Sequence, residues 1–103
     1  MSAINKFSKV LGIADGVLFI RCPACDIPHG INIERPNQPQ WSWNGNAEQP
    51  TFTPSLLVTR PVGPLQLEQR CHSMITNGQI QFLGDCTHAL ANCTVDIPEW
   101  ETD

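Results

Sequence analysis

At 103 residues the chain is the size of one domain with a single modest core. Its net charge of −4 excludes the clustered cationic surface that a nucleic-acid partner requires. No apolar run approaches the roughly 18 residues of a membrane span, so no membrane role is expected.

Nine prolines and seven glycines interrupt the chain too often for long helices. The expected class is mainly β, a small single-domain antiparallel fold. Residues 1–16 show no clear period and read as an N-terminal arm or edge strand. Residues 17–98 form the β domain, and 99–103 an acidic tail. Val17 to Cys22 is the first firm strand, followed by the knuckle Cys22-Pro23-Ala24-Cys25 and a return through Gly30 to Ile33. Glu34 to Gln40 is a polar loop. Trp41 and Trp43 share a face, as core or as the wall of a peptide groove, and Asn44-Gly45 marks a turn. Phe52 to Thr59 reads as a strand that Pro54 confines to a sheet edge or bulge. After a turn at 60–64 comes the most informative stretch, Cys71 to His88. Beyond it, His88 to Ala91 suggests one helical turn and Thr94 to Ile97 a last strand.

Within Cys71 to His88, Asn77-Gly78 lies between two short runs rich in apolar and β-branched residues, the pattern of a type I′ hairpin. That turn sets Thr76 opposite Gln79, Ile75 opposite Ile80, Ser73 opposite Phe82 and His72 opposite Leu83. Side chains alternate faces along a strand. Cys71 and Cys86 therefore share one face and His72 and Asp85 the other. One hairpin offers a thiol pair on one side and an imidazole with a carboxylate on the other.

Five cysteines in a chain expected in the cytosol read as metal ligands before disulfides. Cys22 and Cys25 form the C-x2-C knuckle of a zinc-ribbon half-site, and Cys71 and Cys86 supply a second pair. Four thiolates suit a closed, structural Zn²⁺ site. His88 is the alternative fourth ligand, with His72 also considered. His29 reads as a surface or supporting group, and Cys93 as a small buried hydrophobe.

The motifs C-P-A-C-x3-H-G (22–30), W-S-W-N-G (41–45), P-T-F-T-P-S-L (50–56) and C-H-S-M-I-x2-G-x-I-x-F-L-G-D-C-T-H-A-L-A (71–91) together resemble a family of small phage and prophage proteins. Members are commonly labelled, misleadingly, as ammonia monooxygenase. The chain has neither the copper or iron ligand set nor the membrane span of such an enzyme. The same domain is similar to the serine protease component of bacterial ubiquitin-like (Bub) conjugation operons. The resemblance implies a protease that trims or removes a ubiquitin-like modifier in the cytoplasm of a bacterial host. It places the nucleophile at Ser55, in P-T-x-x-P-S, and the histidine partner at His72.

The residues add their own reason. A serine nucleophile needs a histidine in hydrogen-bond reach and a third group to orient it, and Asp85 is the same-face neighbour of His72. Asn44, Gly45 and the backbone near Ser55 are candidate oxyanion donors. The expectation is thus a zinc-stapled serine hydrolase with Ser55, His72 and Asp85 at its centre and a protein or peptide as substrate. The alternatives are a non-catalytic zinc-ribbon interaction module directed at a host or defence factor, and a zinc-dependent hydrolase with His72 and His88 on an open metal. The oligomeric state is left open.

Overall fold

The computed structural model describes residues 4–25, 27–36 and 38–100. Among them are nine strands and no helix: β1 (Asn5–Lys6), β2 (Gly12–Ala14), β3 (Val17–Arg21), β4 (Pro28–Asn32), β5 (Ser42–Trp43), β6 (Phe52–Val62), β7 (Leu67–Thr76), β8 (Gln79–Phe82) and β9 (Thr94–Asp96). Strands β1 to β4 form one antiparallel sheet and β5 to β9 a second, each in sequence order. Neighbours in sequence are therefore neighbours in space, as short turns require. Among the described residues no helix is long and apolar enough to cross a membrane.

The two sheets close on one apolar cluster. Leu11, Leu18, Ile20 and Ile31 enter it from the first sheet; Phe52, Leu56, Cys71, Ile75, Ile80 and Phe82 enter from the second. The β7–β8 hairpin has the expected register, with Ser73 opposite Phe82 and Thr76 opposite Gln79. Asn77 and Gly78 take the positive φ values, 50° and 80°, that this turn demands. Alternation along β7 buries Cys71, Ser73 and Ile75 and leaves His72 and Met74 outside the core.

Of the arm or edge strand expected over residues 1–16, residues 4–16 supply β1, at the edge of the first sheet, and β2. β2 pairs with β3 through a two-residue turn at Asp15 and Gly16, both at positive φ. Asp-Gly is itself a hairpin signal, hidden here inside an apolar run. At the other end Trp100 is buried and its N–H donates to the Lys9 carbonyl at 2.7 Å. The indole lies so close to Gly12 that a Cβ there would meet it at 2.5 Å. His88 to Ala91 contributes one turn, with Ala91 N–H on the His88 carbonyl at 3.3 Å.

One irregularity positions the site. Between Phe52 opposite Ile75 and Leu56 opposite Ser73, β6 advances four residues while β7 advances two. The surplus bulges out around Pro54, as expected of a proline with no N–H to give the ladder. Ser55 sits at the downstream end of that bulge.

Candidate functional site

The bulge brings Ser55 to His72 on the neighbouring strand, where Ser55 Oγ lies 3.0 Å from His72 Nε2. The other ring nitrogen, Nδ1, is 3.1 and 3.2 Å from the two carboxylate oxygens of Asp85. An ionised carboxylate only accepts, so Nδ1 carries the ring proton and Nε2 presents a lone pair to the serine hydroxyl. The His72 side chain is 25 % exposed and that of Asp85 44 %, so solvent reaches this side of the hairpin. The arrangement can take a proton from a serine as it attacks a carbonyl carbon.

Asp85 lies beyond the end of β8, and the segment that carries it is tied back to β7. Leu83 N–H donates to the His72 carbonyl at 2.8 Å, Cys86 N–H to the Leu83 carbonyl at 3.3 Å, and Thr87 N–H to the Arg70 carbonyl at 3.0 Å. The Thr87 hydroxyl accepts from Arg70 N–H at 2.8 Å. The Cys86 thiol occupies the position of a strand partner: it accepts from His72 N–H and donates to the His72 carbonyl, both at 3.2 Å. The turn so clamped holds Asp85 against the imidazole.

Cys86 is therefore absent from the thiol cluster in which it was expected. The group that could hold a metal consists of Cys22, Cys25, His29 and Cys71, all buried, with one ligand atom from each lying within 4.8 Å of the others. His29 replaces Cys86 because β4 pairs it with Ile20 on the face that also buries Ile31. The spacing C-x2-C-x3-H and the alternation His29, Ile31 were the available signals. A histidine on a core face needs a partner, yet among the described residues nothing hydrogen-bonds the buried His29 Nε2. His88, the alternative ligand, packs edge-on against Phe82 at 4.8 Å instead. His72 is engaged with Ser55 and Asp85, so an open metal held by His72 and His88 is not formed. Cys93, expected to be buried, is exposed.

The thiols are electrostatically frustrated as they stand. A hydrogen bond from Cys71 holds the Cys22 thiol down to about 3 despite its burial. That same bond and burial push Cys71 up, and burial pushes Cys25 up to about 11. One thiolate forms readily; three in this dry space require a cation.

Asn44 is not available to an oxyanion. Its side-chain oxygen accepts from Asn46 N–H and Thr51 N–H, both at 3.1 Å, and its amide donates to the Gln49 carbonyl at 3.3 Å. The tryptophans have diverged in role. Trp43 stacks on Phe52 at 6.3 Å, whereas Trp41 donates its indole N–H to the Ser55 carbonyl at 3.2 Å and lines an open groove with Ile33, Glu34 and Trp43.

A family model described as bacterial ubiquitination-like system serine protease (BubE) matches residues 4–83. The chain belongs to that family. No curated protein and no solved structure matches it. The stretch matched to the BubE family contains Ser55, His72 and the whole cysteine–histidine cluster. It ends two residues before Asp85, so the third group of the hydrogen-bonded chain rests on the hairpin register and on the observed contact with His72, outside the matched stretch.

Proposed function

We propose that this chain is a zinc-stapled serine hydrolase that cleaves a peptide or isopeptide bond at a protein tail, with a ubiquitin-like modifier as the expected substrate. The observation that carries the reading is the continuous chain Ser55 Oγ, His72 Nε2, His72 Nδ1, Asp85 carboxylate, with contacts of 3.0 and 3.1 Å. Ser55 Oγ attacks the scissile carbonyl while its proton passes to His72 Nε2, and Asp85 stabilises the imidazolium that forms. His72 then returns the proton to the departing amine and leaves Ser55 acylated. A water, deprotonated by the same imidazole, attacks the acyl carbon and releases the acid.

The donor set and its spacing support zinc in the cluster. Cys22 Sγ and Cys71 Sγ are 3.8 Å apart, about the separation of two thiolates about 2.3 Å from one tetrahedral Zn²⁺. Cys22, Cys25, His29 and Cys71 would hold the ion. Four protein ligands close the shell, so its contribution is structural: it would bind the knuckle and β4 of one sheet to β7 of the other. The proton transfers fall to Ser55, His72 and Asp85.

A fluorophosphonate probe tests the reading. Wild-type protein should become covalently labelled at Ser55, and Ser55→Ala should not. No labelling of folded, metal-loaded wild type would leave a non-catalytic binding module.

A further inference from the structure

The Ser55 carbonyl accepts from the Trp41 indole at 3.2 Å, and past it the sheet edge is open. Leu83 N–H and Thr87 N–H donate to the His72 and Arg70 carbonyls, so the backbone groups of His72 and Arg70 point toward β8. Those of Cys71 and Ser73 then point toward β6, where they face Val58 and Leu56. By the same alternation, the N–H and C=O of Leu57 and Thr59 point away from β7. β5 covers that edge only opposite Phe52 and Thr53. At Trp41 the chain leaves it for the first sheet, with its N–H on the Asn32 carbonyl at 2.9 Å. Among the described residues no group bonds the outward backbone of Leu57 or Thr59, and both side chains are exposed.

Proteins usually blunt such an edge with charge or proline. Here the run 55–60 carries one charge, and it is turned inward: Arg60 donates to Gln69 at 2.7 Å and to the Cys25 carbonyl at 3.2 Å. Pro54 and Pro61 stand outside the run, at either end. Leu57, directly opposite His72, is 55 % exposed.

Resting on the serine hydrolase reading, we infer that the substrate is bound as an added strand: an extended peptide pairs its backbone with Leu57 and Thr59 and lays a side chain on Leu57. Only extended main chain offers donors and acceptors at the two-residue repeat of this edge. The edge leads directly to Ser55, so the same pairing delivers a carbonyl to the nucleophile. Recognition is then largely of backbone, and it favours an unstructured tail over a folded surface.

The test uses a small fluorophosphonate and a series of peptidyl phosphonates built from alternating alanine and valine, lengthened one residue at a time. Labelling of wild type should accelerate in steps of two residues. N-methylation at alternate positions should cost roughly three- to tenfold per lost hydrogen bond. Thr59→Pro removes an outward N–H without touching the ladder to β7; it should slow the long phosphonates and leave the small probe unaffected. The N-methyl series on wild type decides the matter if that variant fails to fold. Rates independent of length and methylation, with the small probe still reacting, overturn strand addition but not the hydrolase. A wild-type dimer that Thr59→Pro makes monomeric, with no length dependence, gives the edge to a second copy and also overturns it. Failure of every probe, small one included, overturns the hydrolase reading and this inference with it.

Discussion

Two adjacent residues of β7 divide the molecule. Cys71 points inward, 2 % exposed, into a cluster whose members come from β7, β4 and the knuckle after β3. His72 points outward to Ser55 and Asp85 in partial contact with water. The inward face gains stability by excluding solvent and gathers side chains that could hold a metal; the outward face keeps the Ser55 hydroxyl and the imidazole within reach of solvent. A strand's two-residue period lets one backbone serve both, and it also couples them, because whatever displaces Cys71 displaces the residue bonded to it.

Stripping the metal should strain that division most. Chelation is expected to lower the melting temperature by more than about 10 °C and to abolish probe labelling, since structural zinc contributes several kcal/mol to folding in small domains. Calorimetry with and without chelator checks it. The sign with pH follows from the thiols: Cys25, pushed up to about 11, and Cys71, also pushed up, must each lose a proton to bind. A zinc ion held there is therefore expected to be retained at neutral and alkaline pH and released as pH falls, which a zinc-sensitive dye can follow. Cys71→Ser should reproduce the loss, whereas Cys86→Ser should retain the metal.

Ser55→Ala should separate the two faces. Labelling is expected to vanish while the melting temperature falls by no more than several degrees, since Ser55 is half-buried and the change removes little beyond its bond to His72, worth about 1 kcal/mol. Asp85→Asn comes next, with a rate loss on the order of 10³- to 10⁴-fold, because an amide no longer enforces the Nδ1–H tautomer. Cys86→Ala should act more weakly through the clamp. Loss of the two bonds to the His72 backbone is expected to cost about 1–2 kcal/mol of stability and about tenfold in labelling rate, with zinc content unchanged. Cys93→Ala, at an exposed site, should alter none of these measurements.

The parts legible beforehand are those set by local chemistry. Asn77-Gly78 determined the hairpin and its register because few other dipeptides accept two positive φ values. The period of two then placed Cys71 and His72 on opposite faces. Pro54 announced a bulge, since it cannot donate to a ladder. What escaped was set at longer range. Cys86 and His29 were exchanged because the register beyond Phe82 is no longer that of a strand: the chain turns at Leu83, and the thiol is spent on the His72 backbone. Asp15-Gly16 carried a turn signal that the surrounding apolar residues obscured.

By itself, then, the sequence determined the β character, the Asn77-Gly78 hairpin, the C-x2-C knuckle and the pairing of His72 with a carboxylate, all consequences of backbone sterics or of spacings under about fifteen residues. The tertiary structure alone decided that Ser55 reaches His72, that His29 rather than Cys86 completes the buried cluster, and that the edge past Ser55 stays open. Each of these depends on how one strand meets another, and strand pairing is governed by burial and register across the whole chain.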